Sequence, residues 1–265
     1  MKQIPNIFTL LNLVCGCIAI MYIMQSGLVP QYTDETGAIL VNIPEQMQMA
    51  SLFIAAAGVI DFLDGFVARL MRASSEMGKQ LDSLADVVSF GVAPGMIIFQ
   101  FLRLAYAGKE NGLTVSTLWL LPAFIIPAAG AYRLARFNID TEQSYGFKGV
   151  PIPAAGLLIA SFPLIAFLDF GSSIPGLQSI NAGFIHLLAN KWFLYIFIVI
   201  ISWLMVSTLP MMALKFKNVT VKDNWPKYLL VVITIIAGIF LQWLAVPLVF
   251  IVYVALSLLI KPKAS

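Results

Sequence analysis

Residues Asp61–Asp86 read DFLDGFVARLMRASSEMGKQLDSLAD, and this stretch decides what kind of molecule the chain forms. It places four aspartates, Asp61, Asp64, Asp82 and Asp86, within 26 positions of a chain that holds only 13 acidic residues among 265. Apolar sequence flanks the stretch on both sides. A carboxylate at bilayer depth is costly, so it points to a functional site before it points to packing. Spacing adds geometry. Asp61 and Asp64 are i,i+3, and Asp82 and Asp86 are i,i+4, so each pair shares one helix face. Two such helices side by side direct four carboxylates into one pocket. Like charges that close need protons or a cation between them, and a divalent metal is the simplest answer.

Outward from this hairpin the chain is strongly apolar. Hydrophobic residues make up 60% and charged residues 11%, and the mean hydropathy is +0.91. Soluble domains carry about 25% charged residues, which excludes that class. A membrane span needs about 20 mostly apolar residues. Eight segments qualify, near 7–26, 47–70, 80–103, 117–138, 152–170, 192–214, 227–243 and 245–260, with little polar sequence dividing the last two. The expectation is an all-α, polytopic helical bundle of about eight spans, forming a single domain over residues 1–265. Residues 171–191 read as a loop with a short helix around Phe184–Leu188. With the N-terminus in the cytoplasm, 13 of the 16 Lys and Arg residues fall on the cytoplasmic side; Arg103, Lys109 and Lys191 fall outside. That asymmetry satisfies the positive-inside rule. It puts both termini in the cytoplasm and the aspartate hairpin near the cytoplasmic face. The first segment lacks a small-x-small cleavage site, so it reads as a retained helix. Dispersed basic residues without interleaved aromatics exclude a nucleic-acid binder. Cys15 and Cys17 face different ways on one helix, which excludes a disulfide between them.

In full, the hairpin carries Asp61, Asp64-Gly65, Ala68-Arg69, then eight residues, Gly78, three residues, Asp82, three residues and Asp86. This pattern resembles, at every fixed position, the D-x2-D-G-x2-A-R-x8-G-x3-D-x3-D motif of the CDP-alcohol phosphatidyltransferase family. Eight fixed residues at fixed spacing make the resemblance specific. The residue chemistry agrees with it. Hard carboxylate oxygens suit Mg²⁺ or Mn²⁺, one ion or two. Gly65 and Ala68 keep the helix wall low for a bulky group. Arg69 offers a fork suited to phosphate. Gly78 clears space one turn before Asp82.

The resemblance implies transfer of a phosphatidyl group from CDP-diacylglycerol to an alcohol, with release of CMP. It implies metal-ligand roles for Asp61, Asp64 and Asp82. Asp86 becomes the general base and a further contact to metal. Gly65, Ala68, Arg69 and Gly78 frame the nucleotide and its pyrophosphate, with Asn6 and Thr9 as added diphosphate contacts; Asn6 reads equally as a helix cap. A homodimer is implied as well.

Three further segments narrow the resemblance to the integral-membrane phosphatidylserine synthases. They are Ile4–Asn12, Ser83–Pro94, and the pair Tyr132–Asn138 with Phe147–Ala155. Together with the hairpin they cover residues 1–160; residues 161–265 read as generic membrane helices. L-serine is therefore the expected acceptor. Its carboxylate calls for a cation, and Arg133 and Arg136 are i,i+3 near the end of the fourth segment. Asn138, Lys148 and Ser89 are further candidates for serine contact. Other acceptors, such as glycerol 3-phosphate or inositol phosphate, and an archaeal-type lipid donor remain alternatives. An ion-coupled transporter is a rival of another class, though the chain has no internal repeat. The lone histidine, His186, lies far from the aspartates in sequence and is expected to be a bystander.

Overall fold

The computed structural model describes residues 4–26, 30–32, 39–41, 45–71, 75–107, 115–139, 147–167, 177–212 and 221–259. Helix dominates them. α1 (Ile4–Gln25) is followed by a small antiparallel ribbon of β1 (Pro30–Tyr32) and β2 (Ile39–Val41), which pair Pro30 with Val41. α2 (Glu45–Leu70) carries Asp61 and Asp64, and α3 (Glu76–Asp86) carries Asp82 and Asp86. α3 runs through a π-helical segment, Val87–Val92, into α4 (Ala93–Ala107). Then come two 3₁₀ turns, α5 (Ile125–Ile139), β3 (Phe147–Lys148), α6 (Ile152–Ala166), α7 (Leu177–Leu188) and α8 (Lys191–Val206). β4 (Pro210–Met211), α9 (Val221–Leu241) and α10 (Ala245–Leu259) complete the order. The structure is all-α apart from two short ribbons, the second formed by β3 and β4.

Four stretches among the described residues are long and apolar enough to cross a membrane: Pro5–Gln25, Glu45–Val67, Glu76–Ala107 and Asn224–Leu259. A fifth appears if Ala182–Leu188 and Lys191–Val206, bent by 80°, count as one span. The expected eight segments each hold helix, but they are not eight equal spans. α5 and α6 have 15 residues each. At 1.5 Å per residue that is about 22 Å, short of a hydrocarbon core of about 30 Å. Around Pro122 the fourth segment begins in 3₁₀ geometry, which shortens its α-helix. Sequence reading also places a short helix at Phe184–Leu188, where α7 has 12 residues.

Asn224–Leu259 cannot run straight. Met212 donates its backbone N–H to Ser257 Oγ at 3.1 Å. Nine residues lead from Met212 to Val221, a reach of about 32 Å at most, whereas a straight helix from Val221 to Ser257 would extend about 54 Å. The chain turns back at Gln242, which has φ 50°, and α10 packs on α9.

The core gathers around Phe90, Phe101, Ile97, Ile98, Ile126, Ile152 and Ile159, all fully buried where the π segment and α4 meet α5 and α6. Close approach there depends on Gly156. A Cβ on it would lie 2.8 Å from Phe90 Cα. The π segment has a local cause. Ala93 N–H returns to Val88 O, and Pro94 has no N–H to return to the carbonyl four residues back. The wide turn fixes how Asp86 and Ser89 are displayed relative to each other.

The chain from the end of α8 to Met212 is tied from three sides. Arg136 donates to Val206 O at 2.8 Å and to Ser207 O at 2.9 Å. Gly149, with φ 76°, donates to Leu209 O at 2.9 Å, and Val150 donates to Leu204 O at 3.0 Å. Tyr253 donates its hydroxyl to Met212 O at 3.2 Å. Gly149 adopts a left-handed conformation that a side chain would strain.

Candidate active site

Three walls build the site. α2 brings Asp61 and Asp64, and α3 brings Asp82 and Asp86. The third wall is α1, which packs on both α2 and α3. Ser75 starts α3, accepting the Gly78 N–H at 3.0 Å, and Glu76 in the first turn complements the helix dipole. This start sets the register that aims Asp82 at α2.

Carboxylate oxygens of Asp61, Asp64 and Asp82 lie within 4.8 Å of one another. Asp64 is buried, and Asp61 and Asp82 are half-buried. Asp82 Oδ1 is buried with no hydrogen-bond partner among the described residues. Three converging hard oxygens, one of them unsatisfied, fit a divalent cation with oxygen ligands. Asp86 stands beside this triad, buried, and accepts from Asn12 Nδ2 at 3.4 Å. Thr9 donates to Asp64 Oδ2 at 2.9 Å. Asp64 and Asp86 thus each receive one donor from the same face of α1.

A cleft of about 510 Å³ opens next to the triad. Pro5, Asn6, Thr9, Asp64, Gly65 and Gly78 are among its lining residues, together with Lys79 and Asp82. Gly78 keeps it open, since a Cβ there would lie 3.1 Å from Asn6 Oδ1. Asn6 sits inside the first turn of α1, past the position of a cap, and lines the cleft. The structure therefore assembles Asn6, Thr9, Asp61, Asp64, Gly65, Gly78, Asp82 and Asp86. Ala68 and Arg69 lie on α2, but their side chains fall outside the described residues.

The expected acceptor contacts divide. Arg133 is 5% exposed, lies 5.5 Å over the Phe137 ring and is within electrostatic reach of Asp86. Its Nε has no partner among the described residues. Arg136 is placed elsewhere: its guanidinium caps the carbonyls at the end of α8. Asn138 donates Nδ2 to Ser83 Oγ at 2.8 Å, and its carbonyl accepts from Lys79 Nζ at 3.2 Å. It ties α5 to α3 beside the cleft. Lys148 is exposed on β3. Ser89 is fully buried and donates to Asn12 O at 3.0 Å, which holds the π segment to α1. His186 is exposed on α7.

Sequence reading missed Asn12 and Lys79 as site residues. Asn12 is i+3 from Thr9, so its place on the same face was legible. Lys79 was counted only as a topology charge, and its position in the cleft depends on the packing of α3 against α1.

Residues 2–188 match the CDP-alcohol phosphatidyltransferase family. A Helicobacter pylori (strain ATCC 700392 / 26695) protein named CDP-diacylglycerol–serine O-phosphatidyltransferase is 33% identical over 226 residues, covering 79% of this chain and 84% of the relative. A Bacillus subtilis (strain 168) protein of the same name is 34% identical over 164 residues, covering 61% and 77%. One from Methanocaldococcus jannaschii, again so named, is 38% identical over 166 residues, covering 61% and 72%.

Proposed function

This chain belongs to the CDP-alcohol phosphatidyltransferase family, and from that premise we propose that it transfers a phosphatidyl group from CDP-diacylglycerol to L-serine, giving phosphatidylserine and CMP. The observation that carries the reading is the convergence of Asp61, Asp64 and Asp82 within 4.8 Å beside a cleft large enough for a nucleotide diphosphate. The names of the relatives support serine, as does Arg133, a buried cation near Asp86 that suits the acceptor carboxylate.

Asp61, Asp64 and Asp82, with Asp86 as an added contact, would hold Mg²⁺ or Mn²⁺, which when bound supplies positive charge to the diphosphate. Asn6, Thr9, Gly65 and Gly78 frame the nucleotide and diphosphate, with Ala68 and Arg69 of the same motif. Asp86 takes the proton of the acceptor hydroxyl as its oxygen bonds to the phosphatidyl phosphorus. The bond from that phosphorus to the bridging oxygen breaks, and CMP leaves with the electron pair. Arg133 orients serine through its carboxylate, with Asn138, Lys148 and Ser89 as secondary supports of that side.

The chain acts in the cytoplasmic membrane as a single domain of about eight spans. Both termini and the aspartate hairpin lie on the cytoplasmic side, and the lipid tails reach the site from the bilayer. The fold-back of α10 on α9 supports counting these as two crossings. The active unit is a homodimer, as in the family resemblance.

The test is CMP release by the purified protein with CDP-diacylglycerol and Mn²⁺, comparing L-serine, glycerol 3-phosphate and inositol phosphate. Serine-dependent release that is lost in Asp86→Asn is the expected result. Release driven by another acceptor retains the chemistry and removes serine. No release with any acceptor removes the enzymatic reading and favours transport.

A further inference from the structure

α1 contributes more than nucleotide contacts. Asn12 is fully buried, and its side-chain Nδ2 donates to Asp86 Oδ1 at 3.4 Å. Its backbone is held separately, because Ser89 donates to Asn12 O at 3.0 Å. One turn further along α1, Gly16 allows the helix to lie against the π segment, where a Cβ would fall 2.9 Å from Ser89 Cα. Asn12 Oδ1 is buried and has no partner among the described residues. A buried amide that leaves its own carbonyl unsatisfied is costly. Retaining the Asn makes physical sense if its donor does a job that an apolar residue of equal volume would not.

We infer that Asn12 is a positioning residue for Asp86: its amide occupies Oδ1 and fixes the carboxylate so that the other oxygen faces the acceptor hydroxyl. The inference rests on the reading of Asp86 as the group that takes the acceptor's proton. The arrangement parallels Thr9 and Asp64 one turn earlier, where the same face of α1 supplies a donor to a carboxylate of the triad. The two differ in consequence. Thr9 touches a triad carboxylate and lines the cleft, whereas Asn12 lines no part of the cleft. Loss of Asn12 therefore affects turnover and not nucleotide binding.

The test uses two nearly isosteric variants, Asn12→Leu and Asn12→Asp, assayed with the acceptor that releases CMP in the assay above. Leu retains the volume without the donor, and Asp places an oxygen where the donor stood. We expect kcat to fall about tenfold or more in both, the size of effect seen when an outer-shell partner of a functional carboxylate is removed. KM for CDP-diacylglycerol and CMP affinity stay near the parent values, while the melting temperature falls in both, since Leu leaves Asp86 Oδ1 without its donor and Asp sets a second carboxylate against it. Unchanged kcat in Asn12→Leu overturns the inference. CMP affinity falling in step with kcat, or failure of both variants to fold, also overturns it, because Asn12 is then a packing residue. Asp86→Asn is assayed in parallel. If it retains kcat, the base assignment fails. If it loses kcat while the Asn12 variants do not, only the positioning inference fails.

Discussion

Thr9→Val isolates one hydrogen bond of the site. Valine keeps the β-branched shape, so the helix and the packing of α1 are undisturbed. The hydroxyl has one proton and two acceptors in reach, Asp64 Oδ2 at 2.9 Å and Pro5 O at 3.2 Å. The shorter, charge-assisted bond to the carboxylate takes it. Both residues line the cleft but are little exposed, Thr9 at 4% and Asp64 at 6%, so water replaces the lost donor poorly. A hydrogen bond to a charged group contributes about 1.5–3 kcal/mol, which converts to roughly 10- to 150-fold in an equilibrium or rate constant. The effect should appear as weaker Mn²⁺ half-saturation, because Asp64 is one of three converging oxygens and loses the bond that orients it. The assay is a Mn²⁺ titration of CMP release at fixed CDP-diacylglycerol, with Asp64→Asn for comparison. Half-saturation and kcat/KM both within about twofold of the parent, well below the loss estimated for that bond, would refute the assignment of Thr9 as the residue that holds Asp64.

Three other outcomes follow from the packing. Gly78→Val should raise KM for CDP-diacylglycerol, because the added atoms stand against Asn6 Oδ1 across the cleft and against the capping Ser75 Oγ, 3.1 and 3.0 Å from where a Cβ would lie; CMP binding by calorimetry reads it directly. Gly156→Ala should lower stability by about 1–3 kcal/mol through overpacking, since the new Cβ lies 2.8 Å from the Phe90 backbone; thermal unfolding in detergent checks it. Arg136→Ala should destabilise the protein by about 1.5–3 kcal/mol through loss of charged donors to the α8 carbonyls, while KM for serine stays unchanged; a rise in serine KM without loss of stability would return Arg136 to the acceptor site.

The motif residues were legible because their information is local. Helical spacing alone puts Asp61 with Asp64 and Asp82 with Asp86 on common faces, and the triad with Asp86 beside it follows once α2 and α3 both pack on α1. Acceptor-side residues were harder, since Arg133 and Arg136 present the same chemistry at i,i+3. Which one turns inward depends on where α8 ends, some 70 positions later. No short-range pattern encodes that. The shortened α5 was similarly hidden, because its apolar composition runs through Pro122 while its backbone does not continue as α-helix. The π segment was invisible to periodicity, although Pro94 marked where a backbone donor is missing.

α1 shows why a motif alone gives an incomplete account of such a site. The aspartates come from α2 and α3, and a hairpin of two helices leaves its carboxylates open on one side. Buried carboxylates need donors or a cation. α1 supplies the donors, from Thr9 to Asp64 and from Asn12 to Asp86, and leaves Asp82 Oδ1 without a protein partner. Satisfying all four with protein donors would remove the reason to bind a cation, and satisfying none would leave the hairpin costly to fold. Under the proposed function, the division between donated and undonated oxygens marks where a cation would fit and leaves Asp86 for the acceptor's proton. It also explains why α1 must lie so close that Gly16 faces Ser89 directly. A bulkier residue at position 16 would move α1 away from the π segment and lengthen the 3.4 Å bond from Asn12 to Asp86 first.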